Sequence, residues 1–255
     1  MNVTIAVHTD IGIKKETNQD SLFVKTAKTA YGTVAMLAVC DGMGGLSKGE
    51  LASATLVRSL DRWFMHALPA LLYQNGSAEQ LQESFGRCIE ETNAAIADYG
   101  RVHHMELGTT LAALLLIGSR YYIANVGDSR VYLLTDKAWQ ITKDQTFVQR
   151  EMDAGRMTAH EAKEDARRNM LLQCIGASQT VLPDFYSGET PAGAQFLLCS
   201  DGFRHQISEE EIYAVLHADG ACGRSEMEEK LVHLTEVNKQ RQEVDNISSI
   251  LVQCD

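Results

Sequence analysis

The chain has 255 residues, of which 45% are hydrophobic, and a formal net charge of −11 at pH 7. That length suits one large domain or two small ones. The acidic balance excludes nucleic acid and anionic membrane surfaces as expected partners, because both are bound through clustered Lys and Arg.

The elements follow in chain order. No basic stretch followed by an apolar core opens the chain, so no signal peptide is expected. Strand-length apolar runs occupy residues 3–7, 21–25 and 34–40. A first helix is expected from the capping box Ser47/Glu50, with Leu56, Leu60, Trp63 and Phe64 on its inner face, and a second from Ser77/Gln80, with Leu81, Phe85, Cys88, Ile89 and Ile96. Strands follow at 110–117, 121–126 and 130–135; the run within the first of these is too short to span a bilayer. Residues 144–180 are polar and charged, with a short helix after Thr158/Glu161, and composition alone fits a flap or an ordinary surface insertion equally. A strand at 194–199, helices opened by Ser208/Glu211 and Ser225/Glu228, and a last strand at 247–253 complete the chain.

Successive strands with tight links indicate antiparallel sheets and not strict β-α-β alternation. The expected class is α+β: a four-layer α-β-β-α sandwich of two antiparallel sheets, each flanked by a helix pair. With no linker and no repeat, residues 1–255 read as a single folding unit. Cysteines 40, 88, 174, 199, 222 and 254 include no CxxC pair, so reduced thiols and a cytoplasmic location are expected.

Five aspartates sit at the mouths of apolar strands. Asp41 ends the third in AVCDGMGG, and Asp201 ends another in CSDGF. Asp128 lies in the link of NVGDSR, Asp245 opens the last strand in DNIS, and Asp20 opens an early one in NQDS. One such aspartate is most often a turn former or cap. Five can converge at a sandwich rim, and converging carboxylates repel unless a cation joins them. All-oxygen ligands without paired His or Cys point to Mg²⁺ or Mn²⁺. Asp41 can reach a metal from a rigid strand, and Gly42 leaves its carbonyl accessible as a further ligand. Two ions sharing Asp41 would lie about 3.5–4 Å apart and could hold a bridging hydroxide for in-line attack on phosphorus.

NQDS, AVCDGMGG, GTT (108–110), NVGDSR, CSDGF and DNIS stand in the order found in the metal-dependent protein phosphatases of type 2C, and the chain resembles the compact bacterial Ser/Thr branch almost end to end. The resemblance implies a phosphatase catalytic domain of the sandwich class. It implies hydrolysis of phosphoserine and phosphothreonine in proteins by a metal-bridging hydroxide, without a covalent phosphoenzyme. Carried over by motif, Asp41 bridges two Mn²⁺ or Mg²⁺ ions and Gly42 adds its carbonyl. Asp201 and Asp245 complete the first site and Asp20 serves the second. Asp128 with Asp201 forms the third site often found in bacterial members. Segment 144–180 takes the place of the family's flap. Phosphoproteins are the implied substrates, with a cognate Ser/Thr kinase as partner.

The chain departs from the family at several positions. Lys15 stands where an arginine usually grips the substrate phosphate, and it brings a point charge without the bidentate fork. Gln19 replaces a frequent glutamate, which leaves Asp20 as the ligand there. Met43 stands where eukaryotic members carry a histidine proposed as general acid. A metal-bound water is the first choice of proton donor; His205 is a distant second that reads more readily as structural. His103–His104 reads as loop. Rival chemistries fit less well. A cysteine-based phosphatase needs Arg six residues after its Cys, but Cys199 meets His205 and Cys40 meets Leu46. Phosphoaspartate chemistry needs an Asp-x-Asp motif, which is absent. A dinucleotide loop would set Asp41 against a pyrophosphate. The alternative from another class is a phosphoprotein-binding pseudophosphatase, motivated by Lys15 and Gln19. The five retained aspartates weigh against it.

Overall fold

The computed structural model describes residues 2–30, 32–43, 48–218, 220 and 222–254. Twelve strands and eight α-helices are assigned among them. The strands are β1 (Val3–Asp10), β2 (Ser21–Thr29), β3 (Gly32–Cys40), β4 (Gly42–Met43), β5 (Gly108–Thr109), β6 (Leu111–Ile117), β7 (Arg120–Val126), β8 (Arg130–Leu134), β9 (Ala138–Gln140), β10 (Asp184–Glu189), β11 (Gln195–Cys199) and β12 (Ile247–Cys254). The helices are α1 (Gly49–Arg62), α2 (Leu68–Tyr73), α3 (Ala78–His103), α4 (Phe147–Asp153), α5 (Ala159–Glu164), α6 (Asp201–Arg204), α7 (Glu209–Leu216) and α8 (Arg224–Gln240).

Two antiparallel five-stranded sheets form, in the orders β1-β12-β11-β8-β9 and β10-β7-β6-β3-β2. Strand alternation distributes their side chains between three apolar layers. In β3, Val34, Met36, Ala38 and Cys40 face α1 and α3, while Ala35, Leu37 and Val39 face the opposite sheet. In β11, Leu197 and Cys199 face α7 and α8, while Phe196 and Leu198 enter the layer between the sheets. Strands buried on both faces read as the continuous apolar runs from which they were expected. The four-layer α-β-β-α architecture is therefore observed. Cys40 and Cys199 serve as buried packing groups.

The departures are local. Ser47 lies outside the described residues. The residue before α1 is Lys48, at φ 83°, with no side-chain cap. The capping boxes at Ser77, Thr158 and Ser208 are present. The one expected at Ser225 is not, because α8 starts at Arg224 behind Gly223. Strands β9 and β10 were not anticipated. His103 and His104 close α3 instead of lying in a loop, with His104 as a left-handed cap. Between α1 and α2 the chain passes through a π-helical turn, Trp63–Ala67, where Trp63 stacks on Phe85 at 4.7 Å between ring centroids. Among the described residues no helix is long and apolar enough to cross a membrane.

Segment 144–180 leaves the sandwich on paired stems. Thr146 bridges Leu171, Thr109 bridges Ile175, and the Leu172 amide donates to Gln145 O at 2.8 Å. Beyond the stems, α4 and α5 carry a largely exposed tip.

Candidate metal centre

The strand-end aspartates meet at one rim because β3, β2, β11 and β12 present their site-bearing ends to it. Asp41 directly follows β3. Its amide donates to Thr110 Oγ1 at 3.0 Å, and Thr110 N donates to Asp41 O at 2.9 Å. Thr110 was expected inside a strand; instead it sets the Asp41 backbone. Gly42 packs so closely that a Cβ there would overlap the carbonyl oxygens of Gln19 and Gly49. Only glycine allows this approach. Asp201 begins the one-turn α6, and Asp245 precedes β12. Asp20 precedes β2, held by its amide donating to Asn18 Oδ1 at 3.1 Å.

The electrostatics are those of carboxylates forced together. Burial, with the charges of Asp201 and Asp245, pushes Asp20 up to about 7; the nearby Ser248 and Ser200 hydroxyls pull the other way, but they are bonded to Thr9 and to the Ser248 carbonyl and close no hydrogen bond to Asp20. Asp41 is raised well above the usual carboxylate range, first by burial and then by Asp20, Asp201, Asp128 and Asp245. Asp41 keeps some surface at the mouth of the site, which softens desolvation but leaves the repulsion in place. Asp128 rises to about 7 through burial and Asp201, with Arg204 pulling the other way.

Two ligand candidates are engaged elsewhere. Asp245 Oδ1 takes Lys15 Nζ at 2.6 Å and the Asn246 amide at 2.8 Å. Asp201 Oδ2 faces His205 Nε2 at 3.4 Å, and His205 Nδ1 faces Glu243 Oε2 at 3.4 Å. Burial pulls His205 down, but Glu243 and Asp201 outweigh it and raise its pKa. Accordingly, among the described residues no group of three or more His, Cys, Asp or Glu stands ready to hold an ion together.

The fit to a hard divalent cation rests instead on unmet oxygens. Both carboxylate oxygens of Asp20 and Oδ1 of Asp201 are buried with no hydrogen-bond partner. Such atoms cost about 1–3 kcal/mol each, more when charged. Negative oxygens buried beside one another are the donor set that Mg²⁺ or Mn²⁺ takes. Asp20, Asp41, Gly42, Asp201 and Asp245 are therefore the residues that could hold such ions.

Several residues of the site escaped the sequence reading. Asn246, 3% exposed, donates from Nδ2 to Ile11 O at 2.9 Å and Thr17 O at 3.2 Å, and its Oδ1 accepts from Gln19 N at 2.9 Å. It pins the loop that carries Lys15, and its place within DNIS was the available signal. Glu243 Oε1 accepts from the amides of Val244 and Asp245 at 2.8 and 2.9 Å. Arg130 grips Asp144 in a bidentate pair at 2.7 Å for each bond. Arg204 Nη2 donates to Asp128 O at 2.9 Å and lies 3.4 Å from both Asp128 Oδ2 and Asp144 Oδ2. Nothing local in the sequence marks these long-range pairs.

Residues 12–237 match the family model described as Protein phosphatase 2C. The chain is 35% identical over 214 residues to the serine/threonine protein phosphatase PstP of Mycobacterium tuberculosis, covering 83% of this chain and 38% of that protein's length. It is also 35% identical over 220 residues to the serine/threonine phosphatase stp of Listeria innocua, covering 84% of this chain and 82% of the relative. A crystal structure of the PstP catalytic domain in complex with two manganese ions superposes with a TM-score of 0.77 at 31% identity, covering 98% of this chain and 97% of that one.

Proposed function

This chain belongs to the protein phosphatase 2C family, and from that premise we propose that it hydrolyses phosphoserine and phosphothreonine in proteins with the help of Mn²⁺ or Mg²⁺. The observation that carries the reading is the convergence of Asp20, Asp41 and Asp201, with three buried oxygens lacking any partner. The matching segment spans only part of PstP, so activity, substrates and partners of the whole protein rest on this reading.

Asp20, Asp41, the Gly42 carbonyl, Asp201 and Asp245 would hold the cations. Bound there, the ions supply Lewis acidity, which makes water more acidic and withdraws charge from phosphoryl oxygens. The protein's own residues do the positioning. Lys15 brings one positive charge to the mouth of the site, kept protonated because Asp245, Asp41 and Asp201 outweigh its burial. Asn246 fixes the Lys15 loop, while Glu243 and His205 orient Asp245 and Asp201. Attack of a water oxygen on phosphorus breaks the bond to the serine or threonine oxygen; the water gives up a proton to solvent, and the leaving oxygen takes one up from a solvent water. Thiol nucleophiles have no part in it: burial pushes Cys199 up to about 12 and raises Cys40 as well.

The described residues are read as one catalytic domain with 144–180 as its flap. A cytoplasmic location follows from the cysteines, of which Cys40 and Cys199 act as packing. A kinase that phosphorylates serine or threonine must supply the substrate. An inactive binding module would have no use for buried, repelling carboxylates. The test is phosphate release from matched phosphoserine, phosphothreonine and phosphotyrosine peptides with Mn²⁺ present. Turnover of the first two, at least tenfold above the third, is expected. Equal turnover of all three, or none, would contradict the reading.

A further inference from the structure

We propose that the Arg204 guanidinium takes the place of a third divalent cation beside Asp128, so that this chain binds two ions and no more. The inference rests on reading the Asp20–Asp41–Asp201–Asp245 cluster as a cation centre.

Arg204 follows Asp201 on the single turn of α6, and its side chain is 11% exposed. One nitrogen, Nη2, reaches three oxygens: Asp128 O at 2.9 Å, Asp128 Oδ2 at 3.4 Å and Asp144 Oδ2 at 3.4 Å. Asp128 and Asp144 are themselves 9% and 10% exposed. Arg130 closes the group with its bidentate grip on Asp144 and a third bond from Nη1 to the Tyr132 hydroxyl at 2.7 Å. Two buried carboxylates thus face two guanidinium groups, and the buried part of the group carries no net charge; Glu209, about half exposed, stands 3.9 Å from Arg130 Nη1 on the solvent side. The main cluster differs: Asp20, Asp41, Asp201 and Asp245, with Glu243 behind His205, outnumber Lys15 and His205, and buried oxygens of Asp20 and Asp201 are unmet.

A divalent cation drawn to Asp128 would enter a neutral, buried group beside a like-charged guanidinium. Repulsion in that setting is several-fold stronger than in water. Arginine does not escape it by losing its proton. The same ion at the main cluster would relieve excess negative charge. The two places, which both lie beside Asp201, therefore differ in their demand for positive charge.

Arg204 also ties the arrangement to segment 144–180. Asp144 is the first residue of that segment and is held by both arginines, with Gln140 Nε2 at 3.2 Å as an added donor. The stem of the excursion is thereby fixed to the carbonyl of Asp128 without any ion.

The test is a titration of the metal-stripped full chain with Mn²⁺, read by the electron paramagnetic resonance signal of free Mn²⁺. The wild type should bind two ions up to millimolar Mn²⁺, and Asp128→Asn should bind the same two with affinities within about twofold. Arg204→Ser should gain a third ion at least tenfold tighter than any third ion in the wild type, and the double variant Arg204→Ser/Asp128→Asn should lose it. If Arg204→Ser does not fold, the wild type and Asp128→Asn decide alone. Three ions in the wild type, falling to two in Asp128→Asn, would overturn the inference. No bound ions in the wild type would overturn the reading of the main cluster and the inference with it.

Discussion

Lys15 Nζ and Asp245 Oδ1 stand 2.6 Å apart, so the residue proposed to grip phosphate and a residue proposed to hold a cation are paired with each other. Both side chains are more than a third exposed, so the pair contributes little to stability. Its effect is competition: a cation at Asp245 and a phosphate at Lys15 each release the other partner.

Replacing Lys15 with methionine should therefore have opposite effects on the two ligands. Mn²⁺ affinity, measured by calorimetry, should rise about threefold to tenfold. KM for a phosphopeptide should rise by a similar factor. Lys15→Arg should lower KM, because a guanidinium holds phosphate through two parallel bonds. An unchanged or higher KM in Lys15→Arg would remove Lys15 from the role of phosphate grip.

The carboxylate cluster fixes a sign for the pH dependence of the metal-free protein. Asp20 and Asp128 are pushed up to about 7 and Asp41 is raised above its usual range, in each case first by burial. The folded state then binds more protons than the unfolded chain between about pH 4 and 7. This contribution is fully present below the unfolded pKa and is lost as pH rises through about 7. His205, also raised, acts in the same direction, and His8, lowered by burial, acts against it. In EDTA, the melting temperature should fall between pH 5.5 and 8. Saturating Mn²⁺ should remove or reverse that fall, since protons and cations compete for the same oxygens. A flat profile in EDTA would show that the carboxylates do not repel as the fold implies.

Removing one of the repelling charges should separate stability from activity. Asp41→Asn should raise the metal-free melting temperature at pH 8 and abolish turnover by a factor on the order of 10³ or more. Thermal unfolding in EDTA and a peptide assay give the two readings. A destabilised variant would mean that the Asp41 carboxylate is supported by partners, contrary to its surroundings.

Asn246→Ala removes three hydrogen bonds that hold the 11–19 loop. About 2–4 kcal/mol should be lost in urea unfolding, with a rise in KM as Lys15 loses its place. Asn246→Asp keeps an acceptor for Gln19 N but sets a buried carboxylate oxygen against the Ile11 and Thr17 carbonyls, and should lose at least as much as Asn246→Ala.

The layers were readable in the sequence because they depend on local pattern. Strands buried on both faces leave apolar runs, and true capping boxes at Ser77, Thr158 and Ser208 mark helix starts. The same four-residue pattern at Ser225 arises inside the first turn of α8, where Gly223 precedes the helix. Strand β10 (DFYSGE) is an edge strand paired only with β7, so half its residues face outward and no apolar run announces it. The π-helical turn at Trp63 contains neither Pro nor Gly, and nothing local foretells it. The strand-end aspartates were visible for the reason the strands were. The Arg204–Asp128–Asp144 group and the engagement of Asp245 by Lys15 join segments far apart in the chain, and only the fold brings them together.

Cation-dependent phosphate-ester hydrolysis is proposed for the Asp20–Asp41–Asp201–Asp245 rim. Its most direct test is the initial rate on a phosphothreonine peptide with Mn²⁺, with Mg²⁺ and with EDTA, for the wild type and for Asp201→Asn. Turnover should occur with either cation, be lost in EDTA, return on adding Mn²⁺ back, and fall at least 10²-fold in Asp201→Asn. Turnover that persists in EDTA, or an Asp201→Asn variant as active as the wild type, would contradict the proposal.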